Sequence, residues 1–135
     1  MIRISVAARN AGVDAITALL DGGGTLEIRT GSQPATPAAA DSGTLLAEIE
    51  LESTAYGPAA SGEAQLAGAP LSADAVAGGT AGHFRLKDAQ GNPVVDGSVS
   101  ESGGGGDLIL DNTDINEGQK VNITEMPVSL PMSAE

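Results

Sequence analysis

Apolar positions change their period once along this chain. Val6, Val13, Ile16 and Leu20 recur at helical spacing, which gathers them on one face of an α-helix. Ala7, Ala8, Ala11, Ala15 and Ala18 add helix propensity. Ser5 is suited to the N-cap, and Asp21-Gly22-Gly23-Gly24 to the stop, because glycine accepts the left-handed conformation that ends helices. Gly12 is the one residue inside this stretch that works against a helix. The pattern predicts an N-terminal helical unit over residues 1–21.

Beyond the glycines the period falls to two. Leu26 and Ile28 alternate with Thr25, Glu27 and Arg29. Leu45, Ala47, Ile49 and Leu51 alternate with Glu48, Glu50 and Glu52, which predicts a strand with one apolar and one carboxylate face. Ala64 and Leu66 suggest a weaker strand. Residues 72–80 are small and polar and suggest none. Gly82, Phe84 and Leu86 alternate with His83, Arg85 and Lys87; the turn Asp88 to Pro93 and then Val94, Val95 and Val99 complete a hairpin. Gly103 to Gly106 form a flexible loop before the short run Leu108-Ile109-Leu110, and residues 112–118 read as a turn. Val121 and Ile123 begin a last strand interrupted by Pro127. A one-residue bulge near Met126 would bring Val128 and Leu130 onto the same face.

The expectation is therefore a mainly β chain: a single domain over 1–135, with the helix followed over 25–131 by six to seven short strands. They should form one antiparallel β-sandwich or open barrel. Val6, Val13, Ile16 and Leu20 should anchor the helix. Leu45, Ile49, Phe84, Leu86, Val121 and Ile123 should line the interior. The loops at 31–43 and 53–62, rich in small residues and turn formers, are candidates for facing a partner.

Charge narrows the function. Six Lys and Arg stand against 18 Asp and Glu, a formal net charge of −12. Such a surface repels phosphate backbones and anionic lipid, so neither nucleic acid nor membrane is an expected partner. No stretch approaches the roughly 18 consecutive apolar residues of a membrane span. The start of the chain lacks the basic and apolar regions of a secretion signal. Cysteine is absent, which removes disulfides, thiolate metal sites and cysteine nucleophiles. Leu, Ile, Val and Phe make up about one residue in five, near the composition where chains stop folding alone. A thin core of this kind gains from docking on other subunits.

The residues able to carry chemistry are few. His83 is the only histidine; its place on the polar parity of a strand predicts a solvent-facing ring, and alone it cannot build a zinc site. Glu48, Glu50 and Glu52 form a carboxylate row that reads as a solvated face guarding a strand edge. Asp107, Asp111, Asp114, Asn116 and Glu117 cluster in sequence, but their order does not match a calcium loop, and turn chemistry accounts for them. Neither glycine run has the Gly-Lys-Ser/Thr ending of a phosphate loop. Asn122-Ile123-Thr124 fits a glycosylation sequon only in a secreted chain. No catalytic, cofactor-binding or metal residue is expected, and no enzymatic activity. A sugar-binding or hydrolytic module would need more exposed aromatics than Tyr56 and Phe84.

The order of segments resembles a family of small virion structural proteins of tailed bacteriophages. The resemblance lies in Ser5-Val6-Ala7-Ala8-Arg9-Asn10-Ala11 through Asp14-Ala15-Ile16, and in Gly24 to Pro34. It continues in Gly43 to Ala47, His83 to Asp88, Gly91 to Val99, Asp107 to Leu110 and Ile115 to Val121. The chain departs from that pattern in its acidity and in its single aromatic at Phe84 in that strand. The resemblance implies a non-enzymatic component of the particle, made in the host cytoplasm and located in the virion. A capsid decoration, or cement, protein on the outer face of the major capsid protein lattice is the leading expectation. A tail, baseplate or connector component is the alternative. A homo-oligomer is expected, with trimers at local three-fold axes as the geometric case.

Overall fold

A computed structural model describes residues 2–130. The helix α1 spans Val6–Ala18. Ser5 caps it, its hydroxyl accepting from the Ala8 N–H at 3.0 Å. The helix is shorter than the 1–21 unit expected: residues 2–5 precede it without regular structure, and Leu19 closes it. Val13 and Thr17 bury their side chains within the helix, and Leu20 does so just beyond it. Val6 corrects the expected stripe, being 54% exposed. The contacts of α1 with the rest of the fold begin near Arg9 and Asn10, against Gly62. Val6 lies a turn earlier, on a helix end that overhangs.

Gly12 turns out to have a use. A Cβ there would meet Leu130 Cδ1 at 2.6 Å, so the missing side chain lets the end of the described chain close on the helix. Pro131, the expected end of the strand region, lies outside the described residues.

The strands are β1 Thr25–Thr30, β2 Leu45–Glu50, β3 Glu63–Ala64, β4 Leu71–Asp74, β5 Gly79–Lys87, β6 Pro93–Ser100, β7 Leu108–Ile109, β8 Asp114–Ile115, β9 Lys120–Ile123 and β10 Val128–Ser129. The chain is mainly β, as its alternation predicts, but the described residues form ten strands rather than the six to seven expected, because several are pairings of only two residues. Its main sheet has the order β2-β1-β5-β6-β7, with β8 pairing the start of β5, and it curls into a half-barrel. Two small sheets, β3 with β10 and β4 with β9, complete the described strands.

Three expectations are corrected. The pairing is not wholly antiparallel, since β6 and β7 run parallel at Val99 and Ser100. The segment 72–80 supplies most of β4 and the start of β5, and the turn at 112–118 contains β8. Small polar residues hid these strands because their partners come from far along the chain. Finally, Val121 and Val128 are not joined by a bulge. Their strands belong to different sheets, β9 pairing β4 and β10 pairing β3.

The apolar core follows the alternation closely. Leu26, Ile28, Ala47, Ile49, Phe84, Leu86, Leu108, Val121 and Ile123 are buried. Leu45 is only half-buried, whereas Leu46 is fully buried. A register shift between Ile28 and Arg29 pairs Ala47 and then Leu45 with β1, and so inserts Leu46 as an extra residue. Gly97 stands opposite Phe84 in the β5–β6 ladder. A Cβ on it would lie 2.6 Å from the Phe84 ring.

Candidate functional site: the strapped charged face

The strand β5 runs between β1 and β6, and both of its faces are covered from residue 83 onward. One face, with Phe84 and Leu86, meets the apolar core. The other carries His83, Arg85 and Lys87, all buried. This overturns the expectation of a solvent-facing His83, which is 0% exposed. The cover is the loop 31–43, which crosses the face as a strap. Gly82 permits its approach: a Cβ there would overlap the Gly31 backbone. His83 Nδ1 donates to the Gly31 carbonyl at 2.9 Å, while Nε2 is enclosed without a partner.

Three cations and three carboxylates converge under the strap. Glu27 and Arg29 come from β1, Arg85 and Lys87 from β5, Asp96 from β6 and Asp41 from the strap itself. Asp41 is the hub, because every cation reaches it. Lys87 Nζ lies 2.7 Å from Oδ2, Arg85 Nη1 2.9 Å from Oδ1, and Arg29 Nη2 3.3 Å from Oδ2. Glu27 Oε1 takes Arg29 Nε at 2.8 Å and Lys87 Nζ at 3.1 Å. Arg85 Nη2 donates to the Thr36 carbonyl at 3.3 Å and lies 3.7 Å from Asp96 Oδ2.

The cluster sums to zero charge. Burying isolated charges costs several kcal/mol each, which only close pairing offsets. The hydrogen bond from Lys87, with further help from Arg85 and Arg29, outweighs partial burial and holds the Asp41 carboxyl below its ordinary range. Burial pulls the Lys87 ammonium down, but hydrogen bonds to Asp41 and Glu27 outweigh it and raise its pKa. Asp41 and Lys87 are thus held in their charged forms by their partners. A cleft of about 360 Å³ opens beside the cluster, lined by Ala38 to Asp41, Arg85, Lys87, Gly91 and Pro93.

The other expected candidates lie elsewhere and are not gathered. Glu48 and Glu50 are exposed on the edge strand β2, and Glu52 lies just beyond it. Asp107 Oδ2 accepts from the Ser98 N–H and hydroxyl at 3.0 and 3.1 Å. Asp114 Oδ1 accepts from the Thr80 hydroxyl at 3.0 Å, and its N–H donates to Asn112 Oδ1 at 2.9 Å. The Asn116 N–H donates to Gln119 Oε1. Among the described residues no three His, Asp or Glu side chains are placed to share a metal ion, and no helix is long and apolar enough to cross a membrane.

The two candidate partner loops behave differently. The outer surface of 31–43 is largely exposed. The loop at 53–62 is held inward by polar side chains of the N-terminal segment. Asn10, Asp14 and Asp21 accept from the N–H groups of Gly62, Ala59 and Ala55 at 2.7 to 2.8 Å. Tyr56 is buried, and its hydroxyl donates to the Met126 carbonyl at 2.8 Å; burial raises its pKa. Sequence reasoning used only the apolar stripe of the helix. The spacing of Asn10 and Asp14, one helical turn apart, was the signal for this second face.

Comparison of the chain with protein-family models, with curated proteins and with solved structures finds no match in any of the three.

Proposed function

We propose that this chain is a non-enzymatic structural component of a bacteriophage particle, acting as a capsid decoration protein on the outer face of the major capsid protein lattice. One observation supports this reading above the others. The main polar constellation of the fold, buried except at the exposed Asp41, is where a catalytic group would be sought, and it is committed to holding its own strap. Asp41 is engaged by three cations, Glu27 by two, and His83 Nδ1 by a backbone carbonyl. A carboxylate so engaged is a poor proton acceptor, and an enclosed imidazole is a poor relay. The charges left on the surface are mostly acidic, which suits a position facing away from packaged DNA and next to basic patches of a shell. The family resemblance given above adds the particle itself.

Quantitative gel analysis of purified virions tests this reading. Hundreds of copies retained on emptied heads are expected. A handful of copies on isolated tails would instead assign the chain to a tail, baseplate or connector role. Complete absence from the particle would end both.

A further inference from the structure

Three features of the isolated chain are each incomplete, and each supplies what another lacks. The first is the segment before the helix. Ile2 and Ile4 are 86% and 56% exposed. They alternate with Arg3 and Ser5, so in extended form they share one face. Ser5 is itself extended, at φ −66° and ψ 158°. Two β-branched side chains at alternate positions, left in water, are suited to a strand that has no sheet.

The second feature is the outer edge of β6. Among the described residues its neighbour on that side is β7, which pairs at Val99 and Ser100. The Ser98 N–H turns away from β5 and donates to Asp107. Antiparallel alternation then points the N–H and C=O of Asp96 to the same open side. The opposite edge of the sheet differs. There β2 carries exposed Glu48 and Glu50, and its Leu46 carbonyl accepts from the Val76 N–H. Exposed charge and a covering chain protect an edge; on the β6 edge Asp107 guards Ser98, while Val94 to Asp96 carry no paired strand among the described residues.

The third feature is a cleft of about 540 Å³ beside that edge, lined by apolar Phe84, Val95, Met126, Pro127 and Val128 together with polar Asp96, Asp107 and Ser129. Val95 and Asp96 point to opposite faces of β6. A strand laid along this edge with Ile2 and Ile4 over the cleft turns Arg3 toward the face of Asp96. There Asp96 Oδ1 accepts from Gln33 Nε2 at 3.3 Å, and Oδ2, 3.7 Å from Arg85 Nη2, is buried without a hydrogen-bond partner. Apolar parity, backbone pairing and charge therefore agree on one arrangement.

We infer that residues 2–5 of one copy add as a strand to the β6 edge of a second copy, with Ile2 and Ile4 in the cleft and Arg3 toward Asp96. Strand addition of this kind takes affinity from the backbone and specificity from alternate side chains. The occupant is a second copy because, among the described residues, this segment stands in solvent while the edge carries no strand beyond β7. The inference concerns self-association in solution, so it stands or falls separately from any place in a particle.

The test uses sedimentation of the full chain and chemical cross-linking, which the absence of cysteine makes clean. The native chain should sediment as an oligomer. Ile2→Asp with Ile4→Asp should weaken self-association by about tenfold or more, and Arg3→Glu should weaken it less. Both variants alter exposed positions and should keep the native melting temperature, which separates lost association from lost folding. A mixture of Ile4→Cys and Val94→Cys chains should yield a cross-linked species of twice the mass with a short bis-maleimide. A native chain that stays monomeric, an oligomer untouched by the aspartates, or a link that forms only within a doubly substituted chain would each overturn the inference.

Discussion

The two faces of β5 are built from the same strand, yet they are held by opposite means. Phe84 and Leu86 sit against an apolar interior, where burial of each large side chain contributes about 1.5–3 kcal/mol. Arg85 and Lys87, one residue over, are just as enclosed, but they sit in a lattice of ion pairs. The apolar face is non-directional and tolerant of repacking. The charged face depends on each partner being present, because a lone buried charge has no compensation. A strap with few large apolar side chains has little area with which to bind a sheet. Six ionisable groups supply what its composition cannot.

This contrast can be pressed hardest at its two centres. Phe84→Ala removes the single phenylalanine from the core and should cost about 3–5 kcal/mol in denaturant unfolding. Arg85→Ala should cost about the same, 3–5 kcal/mol, for the opposite reason: it leaves Asp41 and Asp96 facing one another without their shared cation. A small loss for Arg85→Ala would mean that the charged face contributes far less than its burial implies.

A smaller effect is expected at the strap. Asp41→Asn keeps the shape and removes the hub charge, and should cost about 1–3 kcal/mol. Its pH dependence follows from the direction of the two shifts. The Asp41 pKa is lowered on folding, so its contribution is complete above the ordinary value of 3.8 and disappears as pH falls through the lower folded value. The Lys87 pKa is raised, so its contribution is complete below 10.5 and disappears as pH rises through the higher folded value. The melting-temperature gap between native protein and Asp41→Asn should therefore be widest between those limits and close in acid. Smallest of all, Tyr56→Phe removes one buried hydrogen bond to Met126 and should cost about 0.5–1.5 kcal/mol. An unchanged midpoint there would show that this bond adds nothing to the backbone pairing and the Asn10, Asp14 and Asp21 contacts that hold the loop at 53–62.

The alternation made one of the two faces legible and misread the other. Leu26, Ile28, Phe84 and Leu86 declare themselves because a period of two has one apolar parity, and that parity is buried. The same rule assigns the polar parity to water, which holds for Glu48 and Glu50 on an edge strand. It fails for His83 and Arg85, because their cover arrives from residues 31–43, and nothing local to β5 announces it. Charge balance was the available signal: half of the six Lys and Arg residues lie in the two segments 29 and 85–87, which the β1–β5 pairing brings side by side. Strands β4 and β8 were illegible for a related reason. Their small polar residues form strands only because Lys120 to Ile123 and Gly79 to Thr80 pair with them. Of the carboxylate cluster after Asp107, read as turn chemistry, Asp114 does bond locally to Asn112, but Asp107 and Asp114 also accept from Ser98 and Thr80, which the fold brings from other strands.

Asp41 is the latch between strap and sheet, and a double-mutant cycle on Asp41 and Lys87 measures that directly. Asp41→Asn, Lys87→Gln and the pair together, compared by equilibrium unfolding near neutral pH, should show a coupling of at least about 1 kcal/mol. Losses that add to within about 0.3 kcal/mol would contradict it, leaving the strap held by something other than its charges.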